Sequence, residues 1–402
     1  MKKRILVLGG SKFQVPLIRR AKERGLHVVT CDYLPQNPGH ALADEYHNVS
    51  TTDRDAVLEL ARRIGIDAVA SLSSDPAMPA VAYVAETMGL PGPPLPAIIR
   101  MTEKDAFRGL MSAIGLRTPA FHVLAAADGE GAGVVAATLA ASPLRHVVKP
   151  VDASGSRGIA VLGPGGADLP AALQRAFDHS LVKRCIVEGY IDGEQVHGDG
   201  FLQDGRLVYH YIGDQAFYTR SRNSIPIWTR YPTRHGGAIV DDLVRQVEAI
   251  ARASGYLEGP VNIEGRVTLD GDVYVIEIGP RNGGNHIPTL LQRLTGFDFV
   301  SRLLDSALGI GPAVETVTTH RDVGAVYVLH TDRDGVYAGL RVSDVVKDKV
   351  FLLDVFKQAG EPVRHYTGSN TAVGCALLRF DSFEESDRLM PEMPSHLRVV
   401  LQ

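Results

Sequence analysis

A chain of 402 residues with 45% hydrophobic and 22% charged residues has the length for roughly two to four domains and the make-up of an ordinary globular protein. A net charge of −4 and a pI near 6.4 argue against nucleic acid as the main partner, because no basic excess is present to neutralise phosphates. Cys31, Cys185 and Cys375 are odd in number and far apart, which fits a reducing cytoplasm; the apolar run at the N-terminus ends at Gly9, too short for a signal peptide, and no uncharged apolar run reaches membrane-spanning length.

Residues 1–100 alternate between strand and helix patterns. RILVLGG reads as a buried strand ending in glycines, VPLIRRAKERG as a helix closed by Gly25, and HVVTCDY as a second strand; DRDAVLELARRIG, DAVASLS and AMPAVAYVAETMG continue as helix, strand and helix. The alternation predicts an open parallel sheet wound with helices, Rossmann-like, whose carboxyl edge favours ligands. The loop GGSKFQ lacks the third glycine of a dinucleotide fingerprint and the GK[ST] of a phosphate loop, so a tight turn holding a small anion is expected in place of NAD binding. Ser73, Ser74 and Asp75 follow a strand end and could line the same crevice. Ser74 or Asp75 could equally cap a helix beginning at Pro76.

PGPPLP (91–96) reads as a rigid linker. After it, MTEKDAFRGLMSAIG predicts a helix capped by Thr102 and ended by Gly115, with Lys104 and Arg108 one turn apart; alone, these two would be a solvated face. VVKP is a strand carrying Lys149 between apolar residues, followed by the loop DASGSRG and the strand IAVL. A lysine beside a glycine-rich loop suits a phosphate clamp, because glycines let backbone N–H groups approach the oxygens and the lysine supplies a point charge. In CIVEGYIDGEQVHGDGFL, Glu188 ends an apolar strand and Glu194 follows Asp192-Gly193. That arrangement can read an adenine edge and accept ribose hydroxyls, and it equally suits a loop with ordinary surface acids.

HYIGDQAFYTRSRNSIPIWTRYPTRHGG gathers Arg220, Arg222, Arg230 and Arg234 with tyrosines and Trp228. A basic, aromatic stretch inside an acidic chain suggests recognition of an anionic or polar small substrate, the alternative being a surface loop with ordinary arginines. DDLVRQVEAIARASG is an amphipathic helix. VNIEGRVTL and DVYVIEI then flank Asp270-Gly271, a strong hairpin signal. Alternation places Tyr274, Ile276 and Ile278 on one face and Val273, Val275 and Glu277 on the other. Glu264 and Glu277 are symmetric about the turn and therefore opposed. Opposed carboxylates repel each other; a divalent cation between them reverses that cost, and all-oxygen ligation suits Mg²⁺. On the hairpin alone, two acids on a solvated face remain the alternative. His286 in GGNHIPTLL opens a helix, as a substrate contact or as a capping or packing residue. From residue 313, DVGAVYVLHT, GVYAGL, FLLDVF and AVGCALLRF predict a small mixed β domain completing the substrate pocket, and DSFEESD reads as a helix start.

In order and spacing, the lysine of MTEKDAF, VVKP with the SGSRG loop, VEGYIDGE and the VNIE…VIEIGPRNGG hairpin resemble the ATP-grasp superfamily, in its branch of carbamoyl-phosphate-synthase-like and L-amino-acid-ligase-like carboxylate–amine ligases, over roughly residues 1–310. The resemblance implies a pre-ATP-grasp α/β domain at 1–100, a small lid subdomain at 101–186, a large subdomain with the metal site at 187–312, and a C-terminal mixed β domain at 313–402. It implies that Lys104 and Lys149 contact the α- and β-phosphates of ATP. The loop Ser154-Gly155-Ser156-Arg157-Gly158 would fold over the β/γ-phosphates. Glu188 with the backbone around Val187, together with Tyr190, would meet adenine, and Glu194 the ribose.

By the same resemblance Glu264 and Glu277 would hold Mg²⁺, with Mn²⁺ an alternative. Lys149 and Glu277 would act in catalysis with Arg281, which would grip the acyl phosphate or the substrate carboxylate in a fork. Ser74, Asp75, Arg230, Arg234, Gly283, Gly284 and His286 are the candidate substrate contacts. The implied activity is an ADP-forming ligase, acting in the cytoplasm and pairing as a homodimer as relatives of this branch often do. A carboxylic acid attacks the γ-phosphate, and an amine displaces the acyl phosphate. An ATP-dependent carboxylase of the purine-pathway type using bicarbonate, and a non-catalytic nucleotide-binding homologue, are the alternatives. One position departs from the family pattern. E-x-N-P-R is usual where this chain has Glu277-Ile278-Gly279-Pro280-Arg281, so Gly279 stands in place of a metal-ligating Asn, leaving Asn282, Asn262 or a water to fill the position.

Overall fold

Strand Arg4–Leu8 runs through the middle of a parallel sheet of order Glu45–His47, His27–Cys31, Arg4–Leu8, Ala68–Ala70. The computed structural model describes residues 2–218, 225–311 and 322–402. The unbroken apolar runs of the sheet follow from burial on both faces, with helices Val15–Glu23 and Arg54–Ile64 connecting strands and Met78–Met88 following the last of them. Asp53 caps the second helix by accepting from the Ala56 N–H at 3.1 Å, and Gly65 ends it in the left-handed conformation. Glu45–His47 carries no apolar pattern, so sequence periodicity does not reveal it.

A second sheet is antiparallel, in the order Phe121–Ala125, Arg184–Gly189, His146–Pro150, Ala160–Leu162, with helices Gly129–Ala140 and Leu169–His179 closing its core around Leu124, Val148 and Val187. The third has eight antiparallel strands: Val273–Gly279, Gly259–Val267, Glu194–Gln203, Arg206–Phe217, Pro226–Tyr231, Val323–Leu329, Gly374–Phe380 and Val350–Val355. Helix Gly237–Ser254 lays Leu243, Val247 and Ile250 on one end of it.

The expected divisions shift accordingly. The division at 186/187 falls inside strand Arg184–Gly189, and that at 100/101 inside helix Leu95–Thr102. Thr102 does not cap the following helix, Lys104–Ala113; its hydroxyl donates back to the Ile98 carbonyl at 2.8 Å. Beyond residue 321 the chain does not build a detached β domain. Three of its strands continue the large sheet, because Val323–Leu329 pairs along Pro226–Tyr231 and satisfies what would otherwise be an open edge. A small sheet of Pro362–Val363, Gly335–Val342 and Leu397–Leu401 sits beside them.

Glu264 and Glu277 are directly paired in the metal-site hairpin, as the sequence predicts, but not by a two-residue turn alone. Val267 pairs with Val273 and Gly265 with Val275, so the strands reach 264–277 only through a bulge that leaves Ile276 unpaired. The bulge reverses the alternation. Val273 and Val275 point into the core, and after Ile276 it is Ile278 that joins them there. Glu277 is thereby turned to the opposite face from the one alternation assigns it, a re-aiming that bulges commonly produce beside functional sites.

The aromatic and basic stretch also sorts by face. Trp228 and Tyr327 are paired across neighbouring strands and pack into the core beneath helix Phe383–Leu389. Arg230, 1% exposed, bonds Asp214 and Asp387 at 2.6 Å each and stacks over Phe383 at 4.1 Å. Arg234 extends the same network to Asp214 and Asp387 at 3.4 Å. Both arginines are therefore structural where the sequence suggested substrate contacts, while Arg220 and Arg222 lie outside the described residues. Removing one member of a buried ion network leaves an uncompensated charge, at about 3–5 kcal/mol. Arg230→Ala should lower the urea midpoint of unfolding by an amount of that order and leave the KM for ATP unchanged; a raised KM would return Arg230 to the site.

Candidate active site

The four-stranded antiparallel sheet and the bulged hairpin face each other across a cleft, and a buried triad at its base fixes the first lysine. Lys149 Nζ and Arg108 Nε each reach a different oxygen of Glu188 at 2.6 Å. Burial alone would raise the Glu188 pKa, but Lys149 and Arg108 carry it down to about 2. Arg108 also donates to the Ile276 carbonyl at 2.9 Å, so one guanidinium ties Lys149 to the bulge that aims Glu277. Glu188 borders the slot lined by Gly189, Tyr190 and Ile191, with its carboxylate taken by these two cations. Val187 is buried in the core of the four-stranded antiparallel sheet with its backbone paired, so it does not form the edge.

The edge is formed by Gly189-Tyr190-Ile191, bordering a slot of about 120 Å³ with apolar walls from Val147, Ile159, Val161, Phe217 and Ile276. A flat aromatic base fits such a slot. Tyr190 is held there by Arg266, which donates to its hydroxyl at 2.9 Å and stacks on its ring at 4.7 Å. Glu194 lies outside the slot, 3.2 Å from His235 Nε2 and largely exposed.

Above the cleft, Lys104 Nζ donates to the Ala153 carbonyl at 2.7 Å and anchors the glycine-rich loop. Gly155, Ser156 and Gly158 all take positive φ (67°, 59° and 73°), a tight reversal that costs a non-glycine residue about 1 kcal/mol or more. The loop crosses to the C-terminal segment: a Cβ on Gly155 would come within 3.3 Å of Ser369 Oγ. Among the described residues, Arg157 bonds within the loop, to the Ser154 carbonyl at 3.1 Å.

The paired acids line the next cavity, of about 210 Å³, together with Lys104, Ser154, Gly155, Ser156 and Arg281. Burial first, then Glu277, pushes the Glu264 carboxyl up to about 7. Lys104 Nζ is 3.8 Å from Glu277, and Gln195 donates to Glu264 at 3.2 Å. Two carboxylates forced together on a cavity face, one of them costly to ionise, form a donor set that a divalent cation completes, so the residues present fit Mg²⁺. His197, opposite Glu264 in the sheet register, also lines the cavity and was not singled out from the sequence. Burial and then Arg281 hold it neutral, down to about 4, with Nε2 accepting from Asn262 at 2.9 Å. Its only sequence signal is alternate placement on the strand after Glu194.

Arg281 is gripped by Asp75 in a two-point fork, Nε and Nη2 each 2.6 Å from a different oxygen. Burial opposes its charge, and Asp75 more than restores it. The pair accounts for Gly279: a Cβ there would lie 2.9 Å from Asp75 Oδ1 and 3.1 Å from Arg281 Nε. The N-terminal domain thus places a carboxylate where residue 279 would carry a side chain. Of the two proposed stand-ins, Asn262 lines the cavity but commits its Nδ2 to Asp199 at 2.8 Å and to His197, and Asn282 is fully buried away from it. Asp199, pushed up to about 6 by burial, takes the Gly283 N–H at 2.8 Å and fixes the turn.

The remaining candidates divide. Ser73, not Ser74, reaches the turn, donating to the Gly283 carbonyl at 2.6 Å; Ser74 makes no capping bond and does not line the cavity. Gly284 and Asn285 line it, whereas His286 turns away to Asp354 (2.7 Å) and Phe13. The loop GGSKFQ is not arranged for an anion, since Asp32 takes the Gly10 N–H and Lys12 packs on Phe356, its pKa lowered to about 8 by burial. The three cysteines are buried and unpaired, and among the described residues no helix is long and apolar enough to cross a membrane.

Two sheets close on the apolar slot, the lysine-and-glycine loop and the paired acids. Residues 142–289 match the family described as ATP-grasp domain. Over that segment the chain is similar to the ATP-grasp domain, and its overall fold is that of the solved structure that follows. The L-amino acid ligase from Bacillus licheniformis superposes with a TM-score of 0.82 at 21% identity, covering 100% of this chain and 99% of that one. An uncharacterized protein, y4rH, of Sinorhizobium fredii is 27% identical over 285 residues, 66% of this chain but 54% of that protein, so the chain spans about half of that relative. A formate-dependent phosphoribosylglycinamide formyltransferase of Parasynechococcus marenigrum is 28% identical over 406 residues, 99% of this chain and 98% of that one.

A carboxyl whose folded pKa lies above its unfolded value stabilises the fold while protonated, and that contribution disappears as pH rises through the folded pKa. For Glu264 it is complete below 4.5 and lost through about 7. Mg²⁺ should therefore raise the melting temperature little near about pH 5 and by several degrees near about pH 8. Glu264→Gln should abolish the Mg²⁺ response at both; an unaltered response would move the cation elsewhere.

Proposed function

We propose that the protein is an ATP-dependent carboxylate–amine ligase that joins a small-molecule acid to an amine through an acyl phosphate, releasing ADP and phosphate. The observation that carries this is the continuity of one cavity. Lys104, the Ser154–Ser156 loop, Glu264, Glu277 and Arg281 stand at one end, and the space runs on beneath strands Pro226–Tyr231 and Val323–Leu329, with room for an acid beside the phosphates. Mg²⁺ held by Glu264 and Glu277 would supply charge neutralisation on the phosphates.

The chain's own residues do the rest. Lys149, fixed by Glu188, and Lys104, fixed by the Ala153 carbonyl, hold the phosphate oxygens, and the loop excludes water from above. A carboxylate oxygen of the acid attacks the γ-phosphorus, and the bond to the β-bridging oxygen breaks with its electron pair leaving on ADP. The amine then attacks the acyl carbon, phosphate departs and the amine loses a proton. Arg281, oriented by Asp75, offers its remaining N–H to the carboxylate and then to the acyl phosphate, and a charge fixed in advance there stabilises the transferring group. A second reading takes formate as the acid and a phosphoribosyl amine as acceptor, favoured by the relatives named formate-dependent phosphoribosylglycinamide formyltransferase. Unpaired buried cysteines support a cytoplasmic setting.

ADP release measured over a panel of acids and amines tests the ligase. Steady release requiring one of each supports it, and release driven by bicarbonate alone overturns it. Glu277→Gln should abolish ADP formation with the far-ultraviolet circular dichroism unchanged. Lys149→Ala should raise the KM for ATP by roughly ten-fold or more, since a charge-assisted phosphate contact contributes about 1.5–3 kcal/mol.

A further inference from the structure

The far end of the cavity has a chemistry of its own. Among the described residues, every charged side chain lining it stands at the phosphate end, and the opposite wall is Ile225, Ile287, Val326, Val328 and Tyr366. Alternation fixes this: Ala325, Tyr327 and Leu329 point into the C-terminal core, so Val326 and Val328 face the cavity. Arg230, which suggested an anionic ligand, points the other way into its Asp214 and Asp387 network, while Trp228 packs against the C-terminal core and also borders the cavity.

Two polar side chains, Gln215 and Thr229, interrupt the wall. Gln215 pairs in register with Thr229, which pairs with Val326, and donates Nε2 to the Thr229 hydroxyl at 3.2 Å. Among the described residues, its buried Oε1 has no hydrogen-bond partner. A buried carbonyl oxygen left without a donor is destabilising by about 1–3 kcal/mol unless something supplies one. Gln215 is also one strand, about 4.8 Å, from Gln195, whose amide bonds Glu264. The open acceptor therefore lies between the metal-site acids and the apolar wall.

Resting on the ligase reading above, we propose that the acid activated here is an α-amino acid with an apolar side chain of about leucine size. Its carboxylate faces Arg281 and the γ-phosphate, its α-nitrogen donates to Gln215 Oε1, and its side chain lies on Val326, Val328, Ile225, Ile287 and Tyr366. Formate and bicarbonate would leave both the wall and the acceptor unused.

The test is hydroxylamine trapping with the full chain and Mg²⁺-ATP, which captures the acyl phosphate as a hydroxamate and so identifies the activated acid. The panel is leucine, methionine, glycine, aspartate, lysine, formate and 4-methylpentanoate, which is leucine without its amino group. One methylene in an apolar pocket discriminates by about ten-fold or more, so kcat/KM for leucine should exceed that for glycine by at least about 100-fold. Leucine should also exceed 4-methylpentanoate, and Gln215→Leu should erase that second difference while preserving the first. Should that variant fail to fold, leucine against 4-methylpentanoate in the wild type still decides the role of the α-nitrogen. Best turnover with glycine, formate or a charged amino acid overturns the substrate class and leaves the ligase standing. Hydroxamate from none of these acids, with ADP released only on bicarbonate, overturns both.

Discussion

Two carboxylates on adjacent strands, facing one another at a cavity wall, cannot both ionise there at little cost, and the site is organised around that constraint. Glu264 is left with a pKa near neutrality because burial and Glu277 oppose its charge. The bulge at Ile276 is what creates the conflict, since without it Glu277 would point into the core beside Val273 and Val275. The surroundings answer with positive charge: Lys104 at the loop, Arg281 at the turn, and a cation position between the acids.

Each of those answers comes from a different part of the chain. Arg108 ties three segments together, bonding Glu188, through it Lys149, and the carbonyl of the bulged residue. A shift of the four-stranded antiparallel sheet relative to the hairpin therefore strains both Lys149 and the strand that carries Glu277. Asp75 does the same for the N-terminal domain by holding Arg281. The eight-stranded sheet joins the hairpin of Glu264 and Glu277 at one edge to the C-terminal strands at the other, so the paired acids and the apolar wall of the cavity stand on one continuous sheet.

Much of this was legible in the sequence because it was written locally. Apolar runs, capping residues and Gly/Pro punctuation marked the strands and helices of residues 1–100, and pairing symmetry about Asp270-Gly271 placed Glu264 opposite Glu277. Lys104, Lys149 and the loop were readable from their neighbours. What was not legible depends on contacts far apart in the chain. Nothing near Glu188 announces Arg108, nothing near Arg230 announces Asp387, and the bulge breaks an alternation that reads as perfect. Gly279 read as a loss because its reason, Asp75, lies more than two hundred positions upstream. Arg230 and Arg234 were misplaced for a related reason, while their neighbours Trp228 and Thr229 do border the cavity: β-strands hide half their residues, and composition does not say which half.

The space at Gly279 also couples two positions far apart in the chain. A Cβ at 279 would lie 2.9 Å from Asp75 Oδ1 and 3.1 Å from Arg281 Nε, so a larger residue there requires the fork to move. Exchanges at 75 and at 279 are therefore non-additive, because each alters the room that the other fills.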